Sequence, residues 1–253
     1  MESRNGAREE EARSISRRLG IPMRGGKEIE PGEIRLVLLE DRIEVWDSTS
    51  RSKGARVDFS GIDVRTGSGN LSRQQPLARA ISGRSDRRLG TPLSVIDATA
   101  GFGHDAFMLA CMGHDVIAVE REPLVHLLLE DSHTRAVADP ELGPALGGRL
   151  RVVHGESTTK LLDLDPVDVI YLDPMFDLSK RSSALPKKRA QLLRALVSEG
   201  SGDQELFHIA LSRARKRVVV KRASGDPPLM PTPDLQVPGK IARYDIYLPG
   251  SSI

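Results

Sequence analysis

The residues Asp173-Pro174-Met175-Phe176 close a nearly continuous apolar run, Val167–Leu172. Their types suit methyl transfer to an exocyclic amino group of a nucleobase. Such a nitrogen is a poor nucleophile, because its lone pair is delocalised into the ring. A carboxylate at Asp173, together with the Pro174 carbonyl, can accept both N–H hydrogens and turn the nitrogen toward a methyl donor. Proline has no N–H and a fixed φ, which aims that carbonyl. Phe176 offers a face on which an extruded or unpaired base can stack, in a chain with only 4% aromatic residues. Catalysis of this kind is positioning plus electrostatics and needs no covalent nucleophile. Asp-Pro more often only makes a turn, but a place at the end of an apolar strand favours the chemical reading.

A second cluster lies upstream in Asp97-Ala98-Thr99-Ala100-Gly101-Phe102-Gly103. Gly101 and Gly103 let the turn adopt positive φ and let a ligand meet the backbone without a Cβ. His104 and Asp105 then open a helix whose free N–H groups can bind carboxylate or ribose oxygens. Glu120 ends the next strand 23 residues beyond Asp97, the place from which an acid accepts from both ribose hydroxyls. Arg121 follows and could pack over an adenine or pair with an acid. Glu156 and Ser157 come after the third strand, near the expected adenine edge, though Ser157 also reads as a plain N-cap. Gly101–Ala106 fits the G-x-G-x-x-G/A pattern of dinucleotide enzymes as well. Asp97 would repel a pyrophosphate, whereas it suits the amino group and sulfonium of S-adenosylmethionine. A turn with no ligand is the bland alternative, and the paired Glu120 weighs against it.

Both clusters must sit at the carboxyl ends of parallel strands to meet. From Leu93 onward apolar strands alternate with helices: Ser94–Asp97, Asp105–Met112, Asp115–Glu120, Leu124–Val137, Leu150–His154 and Val167–Leu172. Helices at Pro186–Val197 and Gln204–Ala214, a strand at Arg217–Lys221 and a terminal pair at Leu235–Val237 and Ala242–Leu248 complete the series. The alternation predicts an α/β doubly wound, mostly parallel sheet with an antiparallel edge. A boundary near residue 90 divides a catalytic domain, 91–253, from an N-terminal extension, 1–90, that is a candidate RNA-contact element. The extension reads as a helix over Glu9–Leu19, a hairpin of Ile34–Leu39 and Arg42–Trp46, and a third strand at Arg56–Phe59. Leu77–Ile81 reads as a helical scrap and Gly83–Pro92 as a polar link.

Composition narrows the partners. No run approaches the roughly 18 apolar residues of a membrane span, and Met1–Glu30 has no signal-peptide block, so a cytoplasmic protein without a membrane partner is expected. Cys111 is the only cysteine, which excludes an intrachain disulfide and leaves a cysteine zinc site without ligands; no metal is expected. The net charge of +2 hides a segment, Lys180–Arg222, with 12 Lys and Arg against three acids. A basic segment in an otherwise acidic chain is the footprint of a polyanion, although charge runs are commonly solvated faces. Lys180, Arg181, Lys187, Lys188 and Arg189 would flank the mouth of the site where a phosphate backbone passes. Lys221 and Arg222 end the next strand at that rim, for phosphate contact or a salt bridge.

The stretches Val95–Ala106, Val119-Glu120-Arg121, Tyr171–Phe176, Lys216–Arg222 and Arg243–Tyr247 resemble the bacterial small-subunit ribosomal RNA guanine-N2 methyltransferase family, RsmJ. The resemblance covers most of Leu93–Leu248 and, more weakly, the hairpin and Val57-Asp58-Phe59. It implies a seven-stranded, Rossmann-like, class I S-adenosylmethionine-dependent fold, with the ribosomal RNA or the assembled small subunit as partner. It implies N2-methylguanosine near the 3′ end of that RNA, at guanosine 1516 in the usual numbering, and cofactor contacts at His104, Asp105, Glu120, Arg121, Glu156, Ser157 and Asp173. The family tends to carry Arg where this chain has His104 and Ser where it has Glu156, and its Gly-rich stretch is reduced here to Gly67–Asn70. An adenine-N6 or cytosine-N4 DNA methyltransferase, an NAD-binding oxidoreductase and a catalytically silent RNA-binding module are the competing expectations.

Overall fold

The runs of β-branched residues after Leu93 form strands, of which the central ones are buried on both faces. The computed structural model describes residues 2–3, 8–24, 29–48, 50, 54–65, 71–174 and 203–251. Strands β4 (Ser94–Asp97), β5 (Asp115–Glu120), β6 (Leu150–His154), β7 (Val167–Leu172) and β8 (Ala214–Ala223) run parallel. With β9 (Leu235–Val237) and β10 (Ala242–Tyr247) they make a seven-stranded sheet of order β6-β5-β4-β7-β8-β10-β9. β10 is antiparallel to β8 and lies just inside the edge strand β9. The chain winds outward from β4 to β6 and returns beside β4 as β7. The crevice between β4 and β7 is therefore the switch point at which such sheets bind ligands.

Alternation along the strands sends side chains to two cores. Val169 and Tyr171 join the cluster under α3 (His104–Cys111) and α4 (Pro123–Ala138). Ile170 and Leu172 join the one under α6 (Ser157–Asp163) and α7 (Asp203–Arg213). A nearly continuous apolar run such as Val-Asp-Val-Ile-Tyr-Leu is the composition expected of a doubly covered parallel strand.

The first core continues into the N-terminal segment. There α1 (Glu9–Leu19) packs with a second sheet in which β1 (Glu2–Ser3) runs parallel to β2 (Ile34–Leu38), and β2 antiparallel to β3 (Ile43–Asp47). The strand expected at Arg56–Phe59 does not form, and only Ala55 bridges to Val45. The Val57 carbonyl accepts instead from Arg135 of α4, and the Arg56 and Asp58 side chains pair at 2.8 Å. Phe59 turns inward and stacks on Phe107 of α3, ring centroids 4.3 Å apart.

Two further expectations change. α2 (Pro76–Leu89) takes in the helical scrap and most of the polar link, as two helical pieces that meet in a kink at Gly83, φ 62° and ψ −173°. α5 (Leu142–Leu146) has no counterpart in the sequence reading. The helix expected at Pro186–Val197 lies outside the described residues. Among the described residues no helix is long and apolar enough to cross a membrane.

Candidate active site

β4 delivers Asp97, 2% exposed, to the switch point. The turn that follows is fastened to both neighbouring strands, since Ala98 N–H donates to the Tyr171 carbonyl of β7 and Ala100 N–H to the Val119 carbonyl of β5, each at 3.0 Å. Asp97 Oδ1 accepts from Thr99 N–H at 3.2 Å. Gly101 (φ 52°) and Gly103 (φ 74°) both take left-handed conformations. Their surroundings differ. A Cβ on Gly101 would meet open space, whereas one on Gly103 would run into the Leu129 side chain.

Glu120, at the end of β5, holds the turn from the other side. Its Oε2 accepts from Gly101 N–H at 2.7 Å and its Oε1 from Glu122 N–H at 2.8 Å. Burial pushes this carboxyl above its ordinary pKa, with the two amides opposing the shift.

Across the crevice, one ammonium joins two carboxylates. Lys221 Nζ donates to Asp105 Oδ2 at 2.7 Å and to Asp173 Oδ2 at 2.9 Å. The Tyr171 hydroxyl donates to the same Asp105 oxygen at 2.6 Å. Asp173 N–H donates to Thr99 Oγ1 at 2.6 Å. Burial, then the neighbouring Asp105, pushes the Asp97 carboxyl well above its ordinary value. For Lys221 burial acts downward, but Asp173 and Asp105 outweigh it and raise the ammonium's pKa. Burial depresses His104, whose ring meets the Phe59 ring edge-on at 5.6 Å.

These groups line a cavity of about 450 Å³. It brings together Asp97, Gly101, Gly103, His104, Asp105, Glu120, Arg121, Glu156, Ser157, Asp173 and Pro174, which the sequence singles out. Ser157 is not the N-cap of α6; Glu156 is, and the Ser157 hydroxyl donates to the Ala98 carbonyl, tying α6 to the turn. Lys221 lines the cavity through its salt bridges. Arg222 does not share that rim. Adjacent residues on a strand face opposite sides, and Arg222 is buried with its Nε donating to the Pro227 carbonyl at 3.0 Å. Phe176, Lys180, Arg181, Lys187, Lys188 and Arg189 lie outside the described residues. No group of three or more potential metal ligands is found among the described residues.

Sequence reasoning misses Thr99, Tyr171, Asp203, Glu205 and Leu206, which also line the cavity. Tyr171 carried a signal, because a tyrosine inside an apolar strand must find its hydroxyl a partner. Asp203 and Glu205 open a helix as many surface acids do, and nothing marks them.

Residues 24–249 match the family model described as "Putative SAM-dependent methyltransferase". A ribosomal RNA small subunit methyltransferase J of Pectobacterium atrosepticum is 41% identical over 221 residues, covering 85% of this chain and 86% of that protein. One of Pseudomonas aeruginosa is 37% identical over 243 residues, covering 94% and 90%. The chain belongs to the ribosomal RNA small subunit methyltransferase J family. A crystal structure of a SAM-dependent methyltransferase from Neisseria gonorrhoeae is similar over 100% of this chain and 97% of that one, with a TM-score of 0.71 at 27% identity. The cofactor of this methyltransferase J homologue is S-adenosylmethionine. The cavity fits it. Its volume falls within the roughly 300–1,000 Å³ of cofactor pockets. Asp97, Asp105 and Asp173 face a single ammonium, Lys221, across the floor, and this net acidic lining suits a cofactor that carries an ammonium and a sulfonium.

Proposed function

We propose that this methyltransferase modifies the exocyclic N2 of a guanosine near the 3′ end of small-subunit ribosomal RNA, guanosine 1516 in the usual numbering. The observation that carries the reading is Asp173-Pro174 lining the same cavity as the Asp97–Gly103 turn and Glu120. The relatives named ribosomal RNA small subunit methyltransferase J supply the class of acceptor.

The cofactor, when bound, supplies a methyl group on a sulfonium. Asp97 takes the side of its cationic amino-acid end, the N–H groups opening α3 at His104 and Asp105 offer donors to its carboxylate, and Glu120 accepts from the ribose. Arg121, Glu156 and Ser157 would border the adenine. Asp173 and the Pro174 carbonyl would accept from the guanine amine and turn its nitrogen toward the methyl group, and Phe176 would offer the base a ring to stack on. A fixed in-line geometry is worth several orders of magnitude in rate without covalent chemistry. Lys180, Arg181, Lys187, Lys188 and Arg189 supply phosphate contacts.

The test is incubation with methyl-labelled S-adenosylmethionine and, in parallel, small subunits lacking the modification, naked ribosomal RNA and DNA, followed by digestion to nucleosides. Label in N2-methylguanosine is expected. Label in another nucleoside, or in DNA alone, would overturn the reading.

A further inference from the structure

Asp173 is asked to accept a hydrogen bond from a weakly nucleophilic amine, so both its orientation and its charge matter. Its Oδ2 is already engaged by Lys221 at 2.9 Å. Its Oδ1 accepts nothing among the described residues, and its own N–H is anchored on Thr99 Oγ1. The ammonium is held in turn by Asp105, which the Tyr171 hydroxyl also engages. The register explains why these residues meet. Tyr171 pairs with Val219 across β7 and β8, so Lys221, two residues on, points to the same face at the level of Asp173. Tyr244 of β10 pairs with Lys221 on its other side. The titratable groups facing the ammonium are thus Asp97 from β4, His104 and Asp105 from α3, Tyr171 and Asp173 from β7 and its end, and Tyr244 from β10.

We propose that Lys221 is a positioning residue for methyl transfer: clamped by Asp105 and Tyr171, its ammonium holds Asp173 Oδ2 and so keeps Oδ1 turned to the acceptor amine. The inference rests on the role of Asp173 given above. Without the ammonium, Asp105 and Asp173 become neighbouring like charges in a partly buried site. Their repulsion then swings the Asp173 carboxylate away. A rotated Asp173 takes its accepting oxygen off the amine and loses the in-line geometry. A phosphate-contact role for Lys221 predicts something different, namely weaker RNA binding with an unchanged rate at saturation.

The experiment compares Lys221→Met, Lys221→Gln and Lys221→Arg with wild type. It reads kcat and KM for small subunits lacking the modification, and the Kd for S-adenosylmethionine by titration. We expect Lys221→Met to lower kcat on the order of 10- to 100-fold, with KM and cofactor Kd within about threefold. Lys221→Arg, which keeps a cation between the acids, should recover most of kcat, and Lys221→Gln should lie between. Should Lys221→Met fail to fold, the Arg and Gln variants still separate charge from hydrogen bonding. Unchanged kcat in Lys221→Met or Lys221→Gln overturns the proposal, as does a rise in KM alone, or parallel loss of cofactor binding and kcat that Arg does not restore. Wild type that labels no guanosine N2 refutes the proposed function instead, and is read separately from the ratio of variant to wild type.

Discussion

Glu120 Oε2 accepts from the Gly101 amide at 2.7 Å, so the acid that ends β5 also fastens the turn that follows β4. The same carboxylate therefore shapes the pocket floor and, as proposed, binds the ribose. Glu120→Ala leaves the Gly101 and Glu122 amides without their acceptor, a loss of roughly 1–3 kcal/mol for each buried group left unpaired. We expect a lower Tm together with weaker cofactor binding. Glu120→Gln keeps one accepting oxygen and should be intermediate in both. Calorimetric melting and cofactor titration measure the two effects; an unchanged Tm in Glu120→Ala would show that the turn stands without it.

Asp97 links cofactor binding to pH. Its carboxyl is raised well above the ordinary 3.8, by burial first and then by Asp105. The folded chain thus holds this proton more tightly than the unfolded one. Without cofactor, stability should fall as pH rises from 3.8 through the raised folded value. A cationic ligand group beside Asp97 favours the ionised form, so binding should expel the proton and affinity should climb across the same window. Calorimetry in buffers of different ionisation enthalpy should record proton release in wild type and none in Asp97→Asn. An affinity in wild type that stays flat across the acid-to-neutral range would remove Asp97 from the binding site.

The sheet was legible because doubly buried strands leave a composition that no surface element shares: Val95-Ile96, Val169-Ile170 and Val218–Val220 are each at most 1% exposed. The turn that lines the cavity was legible because it is local, with its glycines and acid within a few residues. What failed was decided by distant partners. Nothing near Arg56–Phe59 shows that Arg135, far along the chain, will take the Val57 carbonyl and cancel a strand. Lys221 and Arg222 look equivalent as a basic pair, yet strand alternation sends one into the cavity and the other into the opposite core. Asp105 reads as a first-turn acid, and its bonds to Tyr171 and Lys221 exist only once three elements are packed.

Phe59 joins the N-terminal segment to the pocket wall. It is 1% exposed, stacked on Phe107 and edge-on to His104. Phe59→Ala should cost about 3–5 kcal/mol, the usual range for deleting a buried phenyl ring. Chemical denaturation would measure that loss. Because His104 opens α3 at the turn, cofactor affinity should fall as well. A stability loss with the affinity of wild type would show that the segment packs on the catalytic sheet without shaping its pocket.

Gly101 and Gly103 share a left-handed conformation but predict opposite phenotypes. Alanine at either position carries backbone strain of roughly 1–2 kcal/mol. At Gly101 the added methyl group meets no protein atom within 4 Å and projects into space beside the cavity. Gly101→Ala should therefore weaken cofactor binding more than it lowers Tm. At Gly103 the methyl group meets Leu129, which is fully buried, so α3 and α4 must separate or the leucine must leave its rotamer, adding roughly 1–3 kcal/mol for overpacking. Gly103→Ala should lower Tm more than Gly101→Ala, with part of its cofactor affinity retained by the molecules that stay folded. Parallel melting curves and cofactor titrations of the two variants decide the matter. Equal Tm losses would mean that Leu129 yields at no cost, and the close packing of α3 on α4 would not be what requires glycine at 103.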